Sequence, residues 1–155
     1  MAHEHEHHDH EPDHEHDHAH EYGPRHFFGV IPVFLVDDVA AASEYYRDVL
    51  GFEVDFLYED PPTYASVSRD DAIINFSKSN PPGRRNGVAY TGPGNGTDVY
   101  IVVSDIDEVY EEMKGHGVSV LIEPDSYDYG MREFKIEDLN GYQLIFGEEA
   151  EASGR

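Results

Sequence analysis

The sequence contains no cysteine and no tryptophan among its 155 residues. The absence of cysteine excludes disulfides, thiolate nucleophiles and thiolate metal ligands. Lysine is scarce, since only Lys78, Lys114 and Lys135 occur, and the formal net charge is −23. A surface this acidic would repel phosphates, so we expect no nucleic-acid partner. It would attract a cationic small molecule, although high solubility or a salty environment also explains such a charge.

Long apolar runs are missing as well. No run approaches the roughly 18 residues that a membrane-spanning helix needs. The N-terminus is acidic rather than basic and then apolar, which differs from a secretory signal. We therefore predict a cytoplasmic protein with no membrane partner.

The first 26 residues have an unusual composition. They hold ten of the eleven histidines and few large apolar side chains, so we predict that residues 1–26 form a disordered tail. Histidines that alternate with acids can chelate Ni²⁺, Zn²⁺ or Cu²⁺ with low specificity. A natural metal-buffering segment and an engineered purification tag both have this pattern. The candidate tail ligands are His3, His5, His7, His8, His10, His14, His16, His18 and His20.

The rest of the chain contains the same pattern twice. The stretches "VFLVDDVAAASEYYRDVLGFEV" (33–54) and "YIVVSDIDEVYEEMKGHGVSV" (100–120) both run from an apolar segment through an Asp and a helical pattern to a glycine. We predict a folded domain over 27–150 with modules at about 28–78 and 97–148. The linker is then 79–96, and 151–155 is a C-terminal tail.

Each module reads as strand, helix and three strands. Asp38 and Asp105 are the predicted N-caps of the helices, and Gly51 and Gly117 are the predicted left-handed residues at their ends. His116 is the only histidine outside the tail, and it is expected to cap the second helix. The predicted strands lie in 29–36, 52–58, 63–69 and 72–78, and in 97–103, 118–124, 132–138 and 142–148.

Two such modules predict an α+β fold with a curved mixed sheet around a shared cavity. The stretches "VDDVAAASEYYRDVLGFEV" and "YGMREFKIEDLNGYQLIFGE" resemble the vicinal oxygen chelate superfamily, which includes glyoxalases, bleomycin-resistance proteins and extradiol dioxygenases. The resemblance covers about residues 28–148. In the second stretch Leu139 stands where the superfamily usually has proline.

The resemblance implies where a metal would be bound. Metal-dependent members take one ligand from the first and one from the last strand of each module. In this sequence those positions hold Ile31, Asn75, Asp98 and Ile145, and aliphatic side chains cannot bind an ion. We therefore expect no cofactor in the domain. The closest likeness is to the metal-free bleomycin-resistance members, which form dimers and hold a cationic drug at the subunit interface.

Alternation along the strands predicts which side chains face the cavity. That set mixes aliphatic, aromatic, amide and charged residues, as in pockets for organic molecules. Solvent or a dimer partner could equally face it, and Tyr129 could simply pack within its loop. No nucleophile-and-base pair is apparent, so we assign no catalytic residue. The predicted ligand-binding residues are Tyr64, Asn75, Asp98, Tyr100, Tyr129, Glu133 and Gln143.

Three functions compete. The leading hypothesis is a metal-free homodimer that sequesters a small cationic or aromatic compound. The second is a lyase, isomerase or dioxygenase of the same superfamily with an unusual site at Asp98, Asn75 and Glu133. The third is a metal buffer that acts through the histidine-rich tail.

Overall fold

The structure is a computed structural model that describes residues 23–83 and 96–150. The chain divides into two compact units, Met1–Val30 and Ile31–Arg155. All helices and strands of the described residues lie in the second unit. The histidines predicted to bind metal lie outside the described residues.

The first half of the folded unit is a βαβββ module. Its four-stranded sheet, here called the first sheet, has the order β1-β4-β3-β2, in which β1 and β4 are parallel. The other neighbouring strands are antiparallel. The elements are β1 (Val33–Val36), α1 (Val39–Asp48), β2 (Glu53–Tyr58), β3 (Tyr64–Arg69) and β4 (Ala72–Lys78).

The second half repeats this architecture. Its sheet, here called the second sheet, has the order β5-β8-β7-β6, again with the first and last strands of the module parallel. The two modules confirm the predicted α+β fold. The elements are β5 (Val99–Val102), α2 (Ile106–Gly115), β6 (Ser119–Ser126), β7 (Met131–Glu137) and β8 (Gln143–Glu149).

The first strand is shorter than predicted. It begins at Val33 rather than at residue 29, directly after Pro32. Proline has no backbone N–H to contribute to a strand ladder. Its carbonyl still accepts a hydrogen bond from the Asn75 backbone N at 3.0 Å. The remaining strands begin and end within two residues of their predicted bounds.

The two helices begin in different ways. Asp38 caps α1 as predicted, because its side chain accepts a hydrogen bond from the Ala41 backbone N at 2.9 Å. The prediction for Asp105 was wrong: this residue is left-handed, with φ 54°, and its side chain makes no capping bond. The Glu148 carboxylate of β8 instead accepts a hydrogen bond from the Ile106 backbone N at 2.8 Å. A tertiary contact therefore replaces the local cap.

One apolar core joins the two modules. It contains the strand face that we predicted to pack under the helices, together with residues of both helices. Since each helix covers one face of its sheet, the opposite face of each sheet carries the mixed side chains. The predicted core-facing residues are buried or packed against the core: Phe34, Val36, Ile74, Phe76, Val99, Ile101, Val103, Phe134, Ile136, Leu144 and Phe146.

Specific contacts connect the modules around this core. Tyr142, which directly precedes β8, stacks on Phe34 of β1 with ring centroids 4.2 Å apart. Its hydroxyl donates to the Leu35 carbonyl at 2.6 Å. The buried Tyr46 hydroxyl of α1 donates to the Asp138 carboxylate at 2.7 Å. These contacts fix the two sheets relative to each other.

Candidate functional site

The predicted ligand-binding residues form two groups on different sheets. Tyr64 and Asn75 lie on β3 and β4 of the first sheet. The other five belong to the second sheet or to the segments that lead into its strands.

The mixed face of the first sheet borders an open groove with a volume of about 890 Å³. Phe56 of β2 and Tyr64 of β3 form its aromatic surface, stacked nearly in parallel at 13° with ring centroids 6.3 Å apart. Phe56 is 49% exposed and Tyr58 is 61% exposed, so the groove presents aromatic area to solvent. The lining residues are Phe56, Tyr58, Thr63, Tyr64, Ser77, Lys78, Ser79, Asn80 and Pro82.

Asn75 lies beside this groove and supplies polar atoms. Its Nδ2 donates to the Tyr64 hydroxyl at 3.1 Å. Its Oδ1 is buried and has no hydrogen-bond partner within the described ranges 23–83 and 96–150. Buried acceptors usually have a partner, so this oxygen is a candidate contact for a ligand donor.

Asp37 holds one wall of the groove in place. Its carboxylate accepts hydrogen bonds from the Ser79 hydroxyl and, at 2.7 Å, from the Gly83 backbone N. These bonds hold the pKa of Asp37 below its ordinary value. The carboxylate thereby fixes the segment after β4 that contributes Asn80 and Pro82 to the lining.

The second sheet carries a tyrosine–carboxylate cluster, defined by Tyr100, Tyr129 and Glu133. The Tyr129 hydroxyl, from the turn before β7, donates to the Glu133 carboxylate. This bond raises the pKa of Tyr129 to about 12. Burial, together with a hydrogen bond to Glu133, also raises the pKa of Tyr100. Glu133 is therefore the common acceptor of two phenols from different elements.

A glycine allows this cluster to form. Gly147 of β8 lies between Val102 of β5 and Glu133 of β7 in the strand register. The Tyr100 side chain crosses directly over it, since a Cβ added at Gly147 would lie 1.9 Å from the Tyr100 hydroxyl. Tyr100 can reach Glu133 because position 147 has no side chain.

Asp98 and Lys135 add two further charged groups to this part of the second sheet. The Asp98 carboxylate accepts a hydrogen bond from the Gln143 backbone N at 2.8 Å. Lys135 is 1% exposed. Burial lowers its pKa, and the negative charge of Asp98 partly opposes that shift. Asp98 therefore has a structural role at the start of β8 as well as an electrostatic one.

The four positions at which the resemblance implies metal ligands do not form a ligand set. Ile31 and Ile145 have no donor atoms, and the Asp98 carboxylate is engaged by the backbone. Within residues 23–83 and 96–150, no three His, Asp or Glu side chains are grouped to hold an ion. These residues do not fit a catalytic divalent metal.

The three residues of the enzyme hypothesis have separate partners. Asn75 bonds Tyr64 on the first sheet, Asp98 bonds the start of β8, and Glu133 bonds tyrosines. No contact among the described residues joins any two of Asn75, Asp98 and Glu133. The structure therefore offers no acid–base pair from this set.

The family of the chain follows from this repeated fold together with a sequence comparison. The family model for the glyoxalase/bleomycin resistance protein/dioxygenase superfamily matches residues 26–146. The chain belongs to this superfamily. No curated protein shows significant similarity to the sequence.

Solved structures with the same fold have low sequence identity to this superfamily member. TioX from Micromonospora sp. ML1 is 18% identical, with a TM-score of 0.64 over 79% of this chain and 99% of TioX. A bleomycin-binding protein from Streptomyces verticillus, solved with copper(II)-bleomycin, is 23% identical; its TM-score is 0.57 over 83% of this chain and 99% of that chain. A glyoxalase/bleomycin resistance protein/dioxygenase from Nocardioides is 17% identical, with a TM-score of 0.60 over 88% of this chain and 93% of that chain.

Sequence reasoning missed some of the residues that shape these two sites. Phe56 and Tyr58 alternate along a predicted strand, which was an available signal for one shared face. A bulge between Val54 and Phe56 makes simple counting unreliable there. The roles of Asp37 and Gly147 depend on tertiary contacts and leave no local signal. No helix in the described part of the superfamily member is long and apolar enough to cross a membrane.

Proposed function

We propose that this superfamily member binds a small aromatic or cationic organic molecule, without a metal ion held by the folded domain. The observation that carries the proposal is the groove of the first sheet. There, stacked and exposed aromatic rings lie beside the Asn75 Oδ1, which has no hydrogen-bond partner among the described residues. Aromatic walls with a few polar groups are typical of sites for planar organic ligands. The fold shared with a protein named for binding bleomycin supports this interpretation.

Charge favours a cationic ligand. Between residues 31 and 83 the first module carries ten acidic side chains and three basic ones. A negative potential raises the local concentration of cations and speeds their association. One basic residue, Lys78, lines the groove itself, so this preference comes from the whole surface rather than from a single contact.

We further propose that the functional form is a homodimer. Val33 on β1 and Val102 on β5 are 38% and 73% exposed, and each strand forms the edge of its sheet. Exposed apolar residues on sheet edges are suited to pairing with another chain. A second copy would cover these edges and supply a further wall to the open groove. Light scattering should then give the mass of two chains.

The binding proposal can be tested with proflavine, a planar cationic dye. After chelator treatment, the full chain should bind the dye saturably, as measured by dye fluorescence. Phe56→Ala should weaken binding by roughly tenfold, as expected for the loss of one stacking surface. Leu57→Ala is the matched control, since Leu57 is 52% exposed on the same strand but does not line the groove. Equal weakening by both variants, or binding that requires added metal, would contradict the proposal.

We propose a separate role for the tail in reversible transition-metal binding. The supporting observation is the nine histidines within residues 3–20. Replacing all nine by Asn should abolish Ni²⁺ and Zn²⁺ binding to the full chain in equilibrium dialysis. Binding should also weaken below about pH 6.5, where imidazole is protonated. Metal retained by the substituted chain would place the site elsewhere. The cytoplasmic location stays a prediction.

A further inference from the structure

Among the described residues 23–83 and 96–150, the buried carboxylate of the tyrosine–carboxylate cluster has no cationic partner. Glu133 is 8% exposed. Its bonds come from the neutral hydroxyls of Tyr100 and Tyr129. Across residues 23–83 and 96–150, no Lys, Arg or His forms an ion pair with it. Lys135 lies on the same face, where burial lowers its pKa and the negative charge of Asp98 partly opposes that shift.

This situation is unusual for a buried acid. Removing a carboxylate from water is costly unless a positive charge and hydrogen bonds compensate. A carboxylate has about four acceptor positions, and two phenols occupy part of that capacity. The more exposed Glu112 and Asp107 each pair with an arginine. Glu133 is more buried than either of them, yet it has no such partner among the described residues.

The tyrosines also form the approach to this carboxylate. Tyr100 is 41% exposed and Tyr129 is 61% exposed, so both rings reach solvent while their hydroxyls bind Glu133. Tyr127 stacks on Tyr129 at 7° with centroids 5.3 Å apart, which extends the aromatic surface. Aromatic faces attract organic cations, and the attraction strengthens when water is excluded. The cluster therefore combines a negative floor with aromatic walls.

We propose that Glu133, Tyr100 and Tyr129 form a recognition site for a protonated amine, in which the Glu133 carboxylate accepts the ammonium hydrogen bonds and the tyrosine rings contact the adjoining carbon atoms. This inference rests on the proposed small-molecule binding and names the charged group of the ligand. A divalent metal would need more ligands than one carboxylate, and the described residues contain no such group. An organic ammonium ion needs one carboxylate and apolar surroundings.

The first test compares two probes of nearly equal size on the full, chelator-treated chain. Isothermal titration calorimetry at neutral pH measures 2-phenylethylammonium against the uncharged 2-phenylethanol. The ammonium probe should bind at least roughly tenfold more tightly, as expected for one charge-assisted hydrogen bond. Equal affinities would overturn the ammonium site and leave the proposed small-molecule binding intact. No saturable binding of either probe, together with no binding of proflavine, would overturn both.

The second test removes the charge and keeps the shape. Glu133→Gln should weaken 2-phenylethylammonium binding by roughly tenfold and leave 2-phenylethanol binding unchanged. Glu123→Gln is the matched control, because it removes the same charge from an exposed position on the neighbouring strand β6. Equal effects of the two variants would show a general field effect and overturn the site. Thermal unfolding checks that both variants fold, and the two-probe comparison applies even if one does not.

Discussion

The contact between Tyr46 and Asp138 should be a main energetic link between the two modules. Tyr46 is fully buried on α1, and its hydroxyl donates to the Asp138 Oδ2 at 2.7 Å. Asp138 is 6% exposed and lies in the turn between β7 and β8. Its Oδ1 accepts hydrogen bonds from the backbone N of Asn140 and of Tyr142 at 2.8 and 2.9 Å. The phenol is thus one of several donors that stabilise a buried carboxylate.

Tyr46→Phe removes that donor and leaves the ring packing nearly unchanged. The hydrogen bond goes to a charged group, so its loss should lower the free energy of unfolding by about 2 kcal/mol. For a urea m-value of about 1–3 kcal/mol/M, the unfolding midpoint should fall by roughly 1 M. The assay is urea denaturation at neutral pH, followed by far-UV circular dichroism and by tyrosine fluorescence.

The neighbouring Tyr45 provides a matched control. It is half-buried on the same helix, and no hydrogen bond of its hydroxyl is found within the described residues. Burial raises the pKa of Tyr45 to about 12, so its hydroxyl is neutral under the assay conditions. Tyr45→Phe should change the free energy of unfolding by less than about 0.5 kcal/mol. Equal midpoints for the two variants would refute a cross-module role for the Tyr46 hydroxyl.

Three further predictions concern other contacts. Gly147→Ala should displace Tyr100, lower stability by about 1–3 kcal/mol in thermal unfolding and weaken 2-phenylethylammonium binding; unchanged affinity would contradict the close approach. Asp37→Asn should weaken proflavine binding a few-fold in fluorescence titration, while the fold persists. The hydrogen bond from Arg69 lowers the pKa of Glu112. The stability that this ion pair gives the folded protein is therefore present above the ordinary glutamate pKa and is lost as pH falls through the lowered pKa of Glu112. Glu112→Gln should therefore cost less than about 1 kcal/mol at neutral pH, and this difference should vanish in acid urea titrations.

Much of the fold could be predicted from the sequence because two periodic signals agree. The repeat gives two modules, and alternation separates an apolar strand face from a mixed one. The start of α2 could not be predicted in this way. Asp105 has a residue type that favours capping, yet the Glu148 side chain from a distant strand takes that role. Local propensity gives way where a tertiary partner supplies a better acceptor.

The candidate site was only partly predictable for a related reason. Alternation places Tyr100 and Glu133 on one sheet face, but it does not indicate that they meet. That contact requires a glycine at position 147 and a hairpin turn that brings Tyr129 to the same carboxylate. Likewise, Asp37 belongs to no periodic pattern and acts through Ser79, which follows β4. Side chains that act across strands leave no signal in a single segment.

The separation of the two sites has a consequence for binding. The first sheet offers aromatic area at Phe56 and Tyr64, whereas the second offers the charge of Glu133. In the proposed dimer, one ligand with a planar body and a protonated nitrogen would contact the first sheet of one copy and the second sheet of the other. Such a ligand binds the dimer better than the monomer, so binding and dimerisation must strengthen each other. Saturating proflavine should therefore lower the protein concentration at which half of the chains are dimeric, as measured by light scattering. In Phe56→Ala this shift should shrink, and an identical shift in Phe56→Ala and Leu57→Ala would mean that the groove does not couple to assembly.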